Sequence, residues 1–233
     1  MKIAIMQPYL FPYIGYWQLI NAVDTFIIYD NIQFSKKSWF NRNYILVNGE
    51  KKLFTIPLKK SSDKLNVIDR IFSNEKQTKV KKILAQIENS YKKAPYFSNA
   101  FPFIKGIFEF NEENLFKYVY NSIIQICLYF DIKTQIDISS NINIDHNLKA
   151  QDKVIAINNA LKSSQYINPI GGVKLYSSDK FYKDNIKLNF LESELTKYKQ
   201  FNNDFIPYLS IIDVMMFNNK KDIKIMLSKF KLI

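Results

Sequence analysis

Apolar positions along this chain follow two rhythms. Short continuous runs, KIAIM at 2–6 and TFIIYD at 25–30, have the pattern of buried strands. Helical spacing through Trp17 and Ile20 predicts a helix over 15–22 between them. Strand, helix, strand at this spacing is a βαβ unit, whose strands run parallel. β-Rich arms at 44–58 flank Asn48-Gly49, a hairpin signal. VIDRIF at 67–72 reads as a short strand, 76–91 as a helix, and 95–103, rich in aromatics and proline, as a loop. Leu115, Val119, Ile123, Ile126 and Cys127 recur at helical spacing and predict a helix over 111–130. Strands follow at 136–139, 164–172 (ending in a turn) and 188–193, with helices at 149–163 and 210–217. Ser210 and Asp213 have the spacing of a capping box.

These elements predict an α/β fold: a Rossmann-like N-terminal βαβ with a mainly parallel sheet, a hairpin, and a helix-rich second half. One domain over 1–233 is expected, with a subdivision near 75 between a site-bearing α/β part and a helical, C-terminal α/β part. In open parallel sheets ligands bind beyond the carboxyl ends of the strands. That rule brings residues 7–12 and 30–34 to one rim.

Composition removes some function classes. Hydrophobic residues make up 47% and charged residues 23%, as in soluble globular proteins. No apolar run reaches the ~20 residues of a membrane span, and the N-terminus lacks the apolar stretch of a signal peptide. A cytoplasmic protein with no membrane insertion is expected. A single cysteine, Cys127, excludes a disulfide framework and a multi-cysteine metal site; it reads as core filler. The formal net charge of +12 invites a nucleic-acid reading. However, only Arg42 and Arg70 among the basic residues are arginine, whereas base readers favour its fork. No nucleic-acid partner is expected; an acidic or phosphorylated substrate fits the charge. Oligomeric state is left open.

Three stretches carry candidate chemistry. MQPYLFPYIGYWQLI, 6–20, places Gln7, Tyr9 and Tyr13 in a proline-stiffened loop at a strand end, which suits a sugar or base ring. Gly15 is expected to let the following helix pack close to the sheet. DNIQFSKKSWFNRN, 30–43, gathers Asp30, Asn31, Gln33, Lys36, Lys37, Asn41, Arg42 and Asn43 between Phe34, Trp39 and Phe40. Arg42 is scarce chemistry in a lysine-rich chain, and its fork suits a carboxylate or phosphate. It is expected to contact either a ligand anion or Asp30. YINPIGGVKLY, 166–176, contains Asn168, paired glycines Gly171 and Gly172, which permit positive φ and close approach to a ligand, and Tyr176. The lone histidine, His146, reads as a cap or surface residue.

The blocks MQPYLFPYIGY, DNIQFSKKSWFNRN, YINPIGGVKLY, Tyr198-Lys199-Gln200 and FIPYLSIIDVMMFN, in this order, resemble the WbqC-like proteins. Members of that bacterial family occur in gene clusters for surface polysaccharides such as O antigen, part of lipopolysaccharide. The resemblance implies transfer of glycine or another aminoacyl or acyl group onto an amino sugar. PYIGY at 12–16 is also similar to the H-x-G-H signature of nucleotidylyl transferases and class I aminoacyl-tRNA synthetases. Both histidine positions are tyrosine, Tyr13 and Tyr16, which are neutral at pH 7 and supply no cation to a phosphoryl group. FSKKS at 34–38 echoes the synthetase lysine motif but lies far too early in the chain.

On this reading the substrate is a nucleotide- or lipid-linked amino sugar. Asp30 is the base or amine anchor. Gln7, Asn41 and Asn43 orient hydroxyls or an oxyanion. Arg42 and Lys36 or Lys37 hold a diphosphate or carboxylate, Tyr9, Tyr13 and Trp39 stack on a ring, and Gly171 and Gly172 close the pocket. Gln7, Asp30, Asn41 and Arg42 are expected in one concavity. No cofactor is required by the residues; acyl-CoA or ATP fits the chemistry. The alternatives are an ATP-dependent nucleotidylyl or adenylate-forming enzyme, or a non-catalytic nucleotide-sugar-binding accessory protein.

Overall fold

A computed structural model describes residues 1–202 and 204–233. The sheet strands are β1 (Lys2–Met6), β2 (Thr25–Ile28), β5 (Gln135–Ile138), β6 (Gln165–Pro169), β7 (Lys187–Ser193) and β8 (Phe230–Leu232). They lie in the order β5-β2-β1-β6-β7-β8, all parallel except β8, which pairs antiparallel with β7. This is the expected α/β, Rossmann-like architecture with a mainly parallel sheet. The sheet combines β1 and β2 with four strands from beyond residue 130.

Alternation along the strands explains the two faces. Ala4, Phe26, Ile28, Ile167 and Leu191 pack on one side. There they meet α1 (Ile14–Asn21), α4 (Leu115–Phe130), α7 (Ile211–Phe217) and α8 (Lys220–Leu227). Ile3, Ile5, Ile27 and Tyr166 face the other way, onto α5 (Ala150–Ala160) and α6 (Ser178–Lys183). Gln18, wholly buried on α1, donates to the carbonyls of Met226 and Lys229 and so ties down the end of α8.

The hairpin forms as its turn chemistry requires: β3 (Arg42–Val47) and β4 (Glu50–Thr55) pair antiparallel around Asn48 (φ 50°) and Gly49 (φ 81°). Two positive φ values in a two-residue turn define type I′, which matches strand twist. The helix at 76–91 is α2 (Lys76–Tyr91).

Several local expectations are corrected. Residues 95–103 are not a loop: α3 spans Phe97–Phe108 with Pro102 inside. Pro102 offers no N–H to the Ser98 carbonyl, but Ser98 is exposed and water can take that place. Ala100, Ile104, Ile107 and Phe108 then bury at helical spacing. VIDRIF is not a strand but begins as a short 3-10 turn, Val67–Asp69. Residues 170–175 are a 3-10 segment rather than an open glycine turn. Ser210 does cap α7, accepting from the Ile212 amide, but Asp213 turns inward instead of completing a capping box. Helices α6 and α8 and strand β8 were not expected from the pattern.

Candidate functional site at the carboxyl rim of the sheet

The strand order reverses direction between β1 and β6, the topological switch point. The β1–β6 ladder there has only the pairs Lys2–Gln165 and Ile3–Tyr166. By contrast β1–β2 holds four pairs and β6–β7 five. Both switch-point strands run on past their last shared pair, to Met6 and Pro169, so their backbones are free to part at the carboxyl rim. Ligands of open α/β sheets bind in such a crevice.

Gln7 follows the end of β1, and in β6 alternation sends Asn168 to the same face as Tyr166. Gln7 Oε1 accepts from the Tyr9 hydroxyl at 3.3 Å, and the backbone oxygen of Gln7 accepts from Tyr16. Asn168 Oδ1 accepts from the Tyr166 hydroxyl at 3.0 Å, and Tyr176 lies on the same hydroxyl at 3.5 Å. Burial raises the pKa of Tyr9, Tyr29 and Tyr176, so the rim offers neutral phenols at physiological pH. Neither Gly171 nor Gly172 has positive φ. A Cβ on Gly172 would overlap the Asn168 side-chain amide, so close approach to Asn168 requires glycine there. Similarly, Gly15 makes room for the Tyr13 ring, which a Cβ would meet at 2.5 Å, rather than for the sheet.

Behind the rim sits a buried polar network. Asp30 is 0% exposed; its Oδ1 accepts from the Ser139 hydroxyl at 2.7 Å and the Ser140 amide at 3.0 Å. Its Oδ2 is buried with no hydrogen-bond partner among the described residues. Lys153 of α5, 3% exposed, donates to Asn31 Oδ1 at 3.3 Å and to the His146 carbonyl at 3.2 Å, with its ammonium over the Tyr29 ring. Burial lowers the Lys153 pKa, and the nearby charges of Asp30 and Asp145 oppose that shift. His146 Nδ1 lies 2.9 Å from Asn31 Nδ2 and its Nε2 3.0 Å from the Ile142 carbonyl. Asn31 Oδ1 accepts from the Lys153 ammonium, so Nδ2 donates to His146 Nδ1 and Nε2–H donates to Ile142.

The residues of 30–43 do not join Gln7 and Asp30 in one concavity, as the sequence suggested. Asn41 and Arg42 line a separate concavity of about 580 Å³ together with Phe34, Lys36, Lys59, Lys60, Asp63 and Arg70. A ladder of rings, Tyr9–Phe40 at 6.2 Å and Phe40–Phe34 at 5.6 Å, connects it to the rim. Arg42 contacts the Ser38 carbonyl at 3.1 Å and the Trp39 ring at 5.7 Å; it makes no ion pair with Asp30. Lys36 pairs with Asp63, Gln33 donates to the Asp63 carbonyl, and Lys37 is exposed outside the concavity. Trp39 packs on Tyr44 and Tyr13 on Tyr208.

The asparagines turn out to brace backbone. Asn41 donates to the Ile56 carbonyl across the start of the hairpin. Asn43 donates to the carbonyls of Leu10 and Phe11 at 2.9 and 2.8 Å. Phe11 has φ 46°, a strained value for a side chain of its size. The Asn43 and Ser210 side chains, both on its carbonyl, and the stacked Phe108 ring at 4.7 Å hold it there. Asn43→Ala should therefore lower unfolding free energy by about 1–3 kcal/mol, the cost of orphaned buried carbonyls. Ligand affinity at the 580 Å³ concavity should stay unchanged by calorimetry; a stable variant with weakened binding would show a direct ligand role instead.

Sequence reasoning missed Tyr29, Ser139, Lys153 and Arg70. A lysine on the buried stripe of α5, one turn before Ile157, was a readable signal for Lys153. Arg70 carried the same scarcity signal as Arg42.

The fold is that of an α/β protein with a mainly parallel sheet whose switch point lies between β1 and β6. The model of the WbqC-like protein family matches residues 7–225, and the chain belongs to that family. It is similar to a Mycobacterium tuberculosis (strain ATCC 25618 / H37Rv) protein named "Uncharacterized protein Rv1507c". The two are 26% identical over 225 residues, covering 92% of each chain. No solved structure matches the chain. Among the described residues no helix is long and apolar enough to cross a membrane.

Proposed function

We propose that this protein is a cytoplasmic transferase of surface-polysaccharide biosynthesis that moves an acyl or aminoacyl group onto the amine of a nucleotide- or lipid-linked amino sugar. The observation that carries this reading is the chemistry of the switch-point rim. Gln7, Tyr9, Asn168 and Tyr176 supply neutral donors, acceptors and ring faces, the mixture that recognises a sugar. In the reaction the amine nitrogen attacks the acyl carbonyl, the bond from that carbonyl to its carrier breaks, and the departing carrier takes up the proton that the amine loses. The Gln7 amide and the Tyr9 and Tyr176 hydroxyls are assigned to orient the sugar and the developing oxyanion. Asp30 is fully buried, so its assigned role is indirect: through Ser139 and Asn31 it sets the position of Lys153 behind the rim.

The ATP-dependent alternative draws less support. Tyr16, at one histidine position of the H-x-G-H pattern, is buried and donates to the Gln7 backbone, while Tyr13 packs on Tyr208. Incubating the protein with nucleoside-diphosphate amino sugars and acyl-CoA or aminoacyl donors, read by mass spectrometry, tests the proposal. The expected product is an N-acylated sugar, formed at least tenfold more slowly by Gln7→Ala, the scale of one lost oxyanion or substrate hydrogen bond. Pyrophosphate release from ATP without an acylated sugar would overturn it.

A further inference from the structure

Only two of the 33 basic residues are arginine, and both line the same concavity. Lys36, Lys59 and Lys60 join them, against a single carboxylate, Asp63, which is already paired with Lys36 at 3.2 Å. Neither arginine forms an ion pair among the described residues. For Arg42, half-exposed, water can compensate. For Arg70 it cannot, because that residue is only 4% exposed. Its guanidinium donates to the Ser61 hydroxyl and, at 2.8 Å, to the Ser62 carbonyl, and it lies 4.5 Å over the Phe34 ring. Its Nε is buried with no partner among the described residues. A guanidinium held this deep, with neutral partners and no counter-charge, is a costly arrangement unless an anion completes it.

We propose that this concavity binds the diphosphate group of the substrate, with Arg70 as the buried fork, Arg42 facing it, and Lys59 and Lys60 closing over the outer charge. The proposal deepens the transferase reading by naming the handle on its substrate, and rests on that reading only for the word substrate. Four cations beyond the Lys36–Asp63 pair suit a multiply charged ion better than a single carboxylate. Two arginine forks suit the tetrahedral oxygens of phosphate, which accept bidentate bonds. A volume of about 580 Å³ leaves space for a diphosphate and part of what it carries. The rings Phe34, Phe40 and Tyr9 connect this anchor to the rim where the sugar is assigned.

Calorimetric titration of the full chain with inorganic pyrophosphate tests the site. Binding is expected, weakened by salt. Affinity should fall about tenfold or more in Arg42→Gln and in the double variant Lys59→Gln/Lys60→Gln, the scale of charge-assisted bonds. These three side chains are at least partly exposed, so the variants should fold; Lys187→Gln, on the distant end of β7, should bind as the wild type does. Uridine diphosphate and a short isoprenyl diphosphate then compare the two carriers, and the one that gains affinity over pyrophosphate identifies the source. No pyrophosphate binding, binding indifferent to the Arg42 and Lys59/Lys60 changes, or tighter binding of malonate would each overturn the proposal. Pyrophosphate binding by a protein that acylates none of the amino sugars overturns the transferase reading alone. Acylation without a pyrophosphate site overturns the diphosphate anchor alone.

Discussion

Asp213→Asn should make stability fall more steeply towards acid pH. Asp213 is 0% exposed, and burial pushes its carboxyl up from 3.8 to about 6, against the opposing pull of its hydrogen bonds. Its Oδ2 accepts from Tyr198 and Gln200, each at 2.7 Å, and its Oδ1 from Tyr91 at 2.9 Å. None of these donors is free to turn away: Tyr91 also accepts from the Leu46 amide, and Gln200 Oε1 accepts from the Ile206 amide. The sign follows from linkage. Between the unfolded value and about 6 the folded state holds more protons, so stability falls as pH rises through that window. The favourable contribution is complete below the unfolded pKa and lost above the folded one. Wild type should thus gain about 3 kcal/mol relative to Asp213→Asn on going from pH 7 to pH 3.5, at 1.36 kcal/mol per pKa unit. Urea unfolding of both proteins at several pH values reads this difference, in which other titrating groups cancel. Parallel curves would show that Asp213 does not titrate in that window. Tyr198, Gln200 and Asp213 all lie in blocks that carry the family resemblance, and the structure makes them a core brace rather than part of the rim.

That outcome illustrates which parts of the molecule local pattern reveals. The βαβ start, the Asn48-Gly49 hairpin and helices α2 and α4 depend on spacing within a few residues, and they are where periodicity puts them. Helix α3 was hidden because Pro102 outweighed an apolar stripe that only its partners make decisive. The site was legible in part. The strand-end rule grouped residues 7–12 with 30–34, and arginine scarcity drew attention to Arg42. The same logic could not see that Asn41 and Asn43 spend their amides on backbone, since those carbonyls are defined only by the folded loop. Nor could it join Arg70 to Arg42 or Lys153 to Asp30. Those meetings join residues separated by whole secondary-structure elements, and no local periodicity encodes them.

The Asp30–Lys153 meeting makes the second large prediction. Lys153→Met should lower unfolding free energy by about 3 kcal/mol, because it leaves Asp30 buried without its cation, and Asp30→Asn by less, because Asp145 still acts on Lys153. Asp30 has two donors on one oxygen and none among the described residues on the other. Lys153 has only neutral oxygens at its ammonium, those of Asn31 and His146. The Ser139 hydroxyl connects the two halves, 2.7 Å from Asp30 Oδ1 and 2.9 Å from Asn31 Oδ1. Charge balance therefore runs through hydrogen-bonded neutral groups rather than a direct ion pair, and the two residues should behave as one unit. In the double variant both charges are gone, so its cost should fall short of the sum by at least about 1 kcal/mol, the coupling expected of residues in one network. Denaturant unfolding of the four proteins closes the cycle. Strict additivity, or a Lys153→Met protein as stable as the wild type, would show that Asp30 is compensated by something else. A measured coupling would mean that the chain holds two buried opposite charges directly behind the carboxyl rim of its sheet. Apolar replacements of similar volume often match or exceed the stability of such pairs, so packing alone does not account for their presence. The variants can then be compared at the rim itself: Lys153→Met should alter the rate of sugar acylation without altering pyrophosphate affinity, because Lys153 adjoins the first site and not the second.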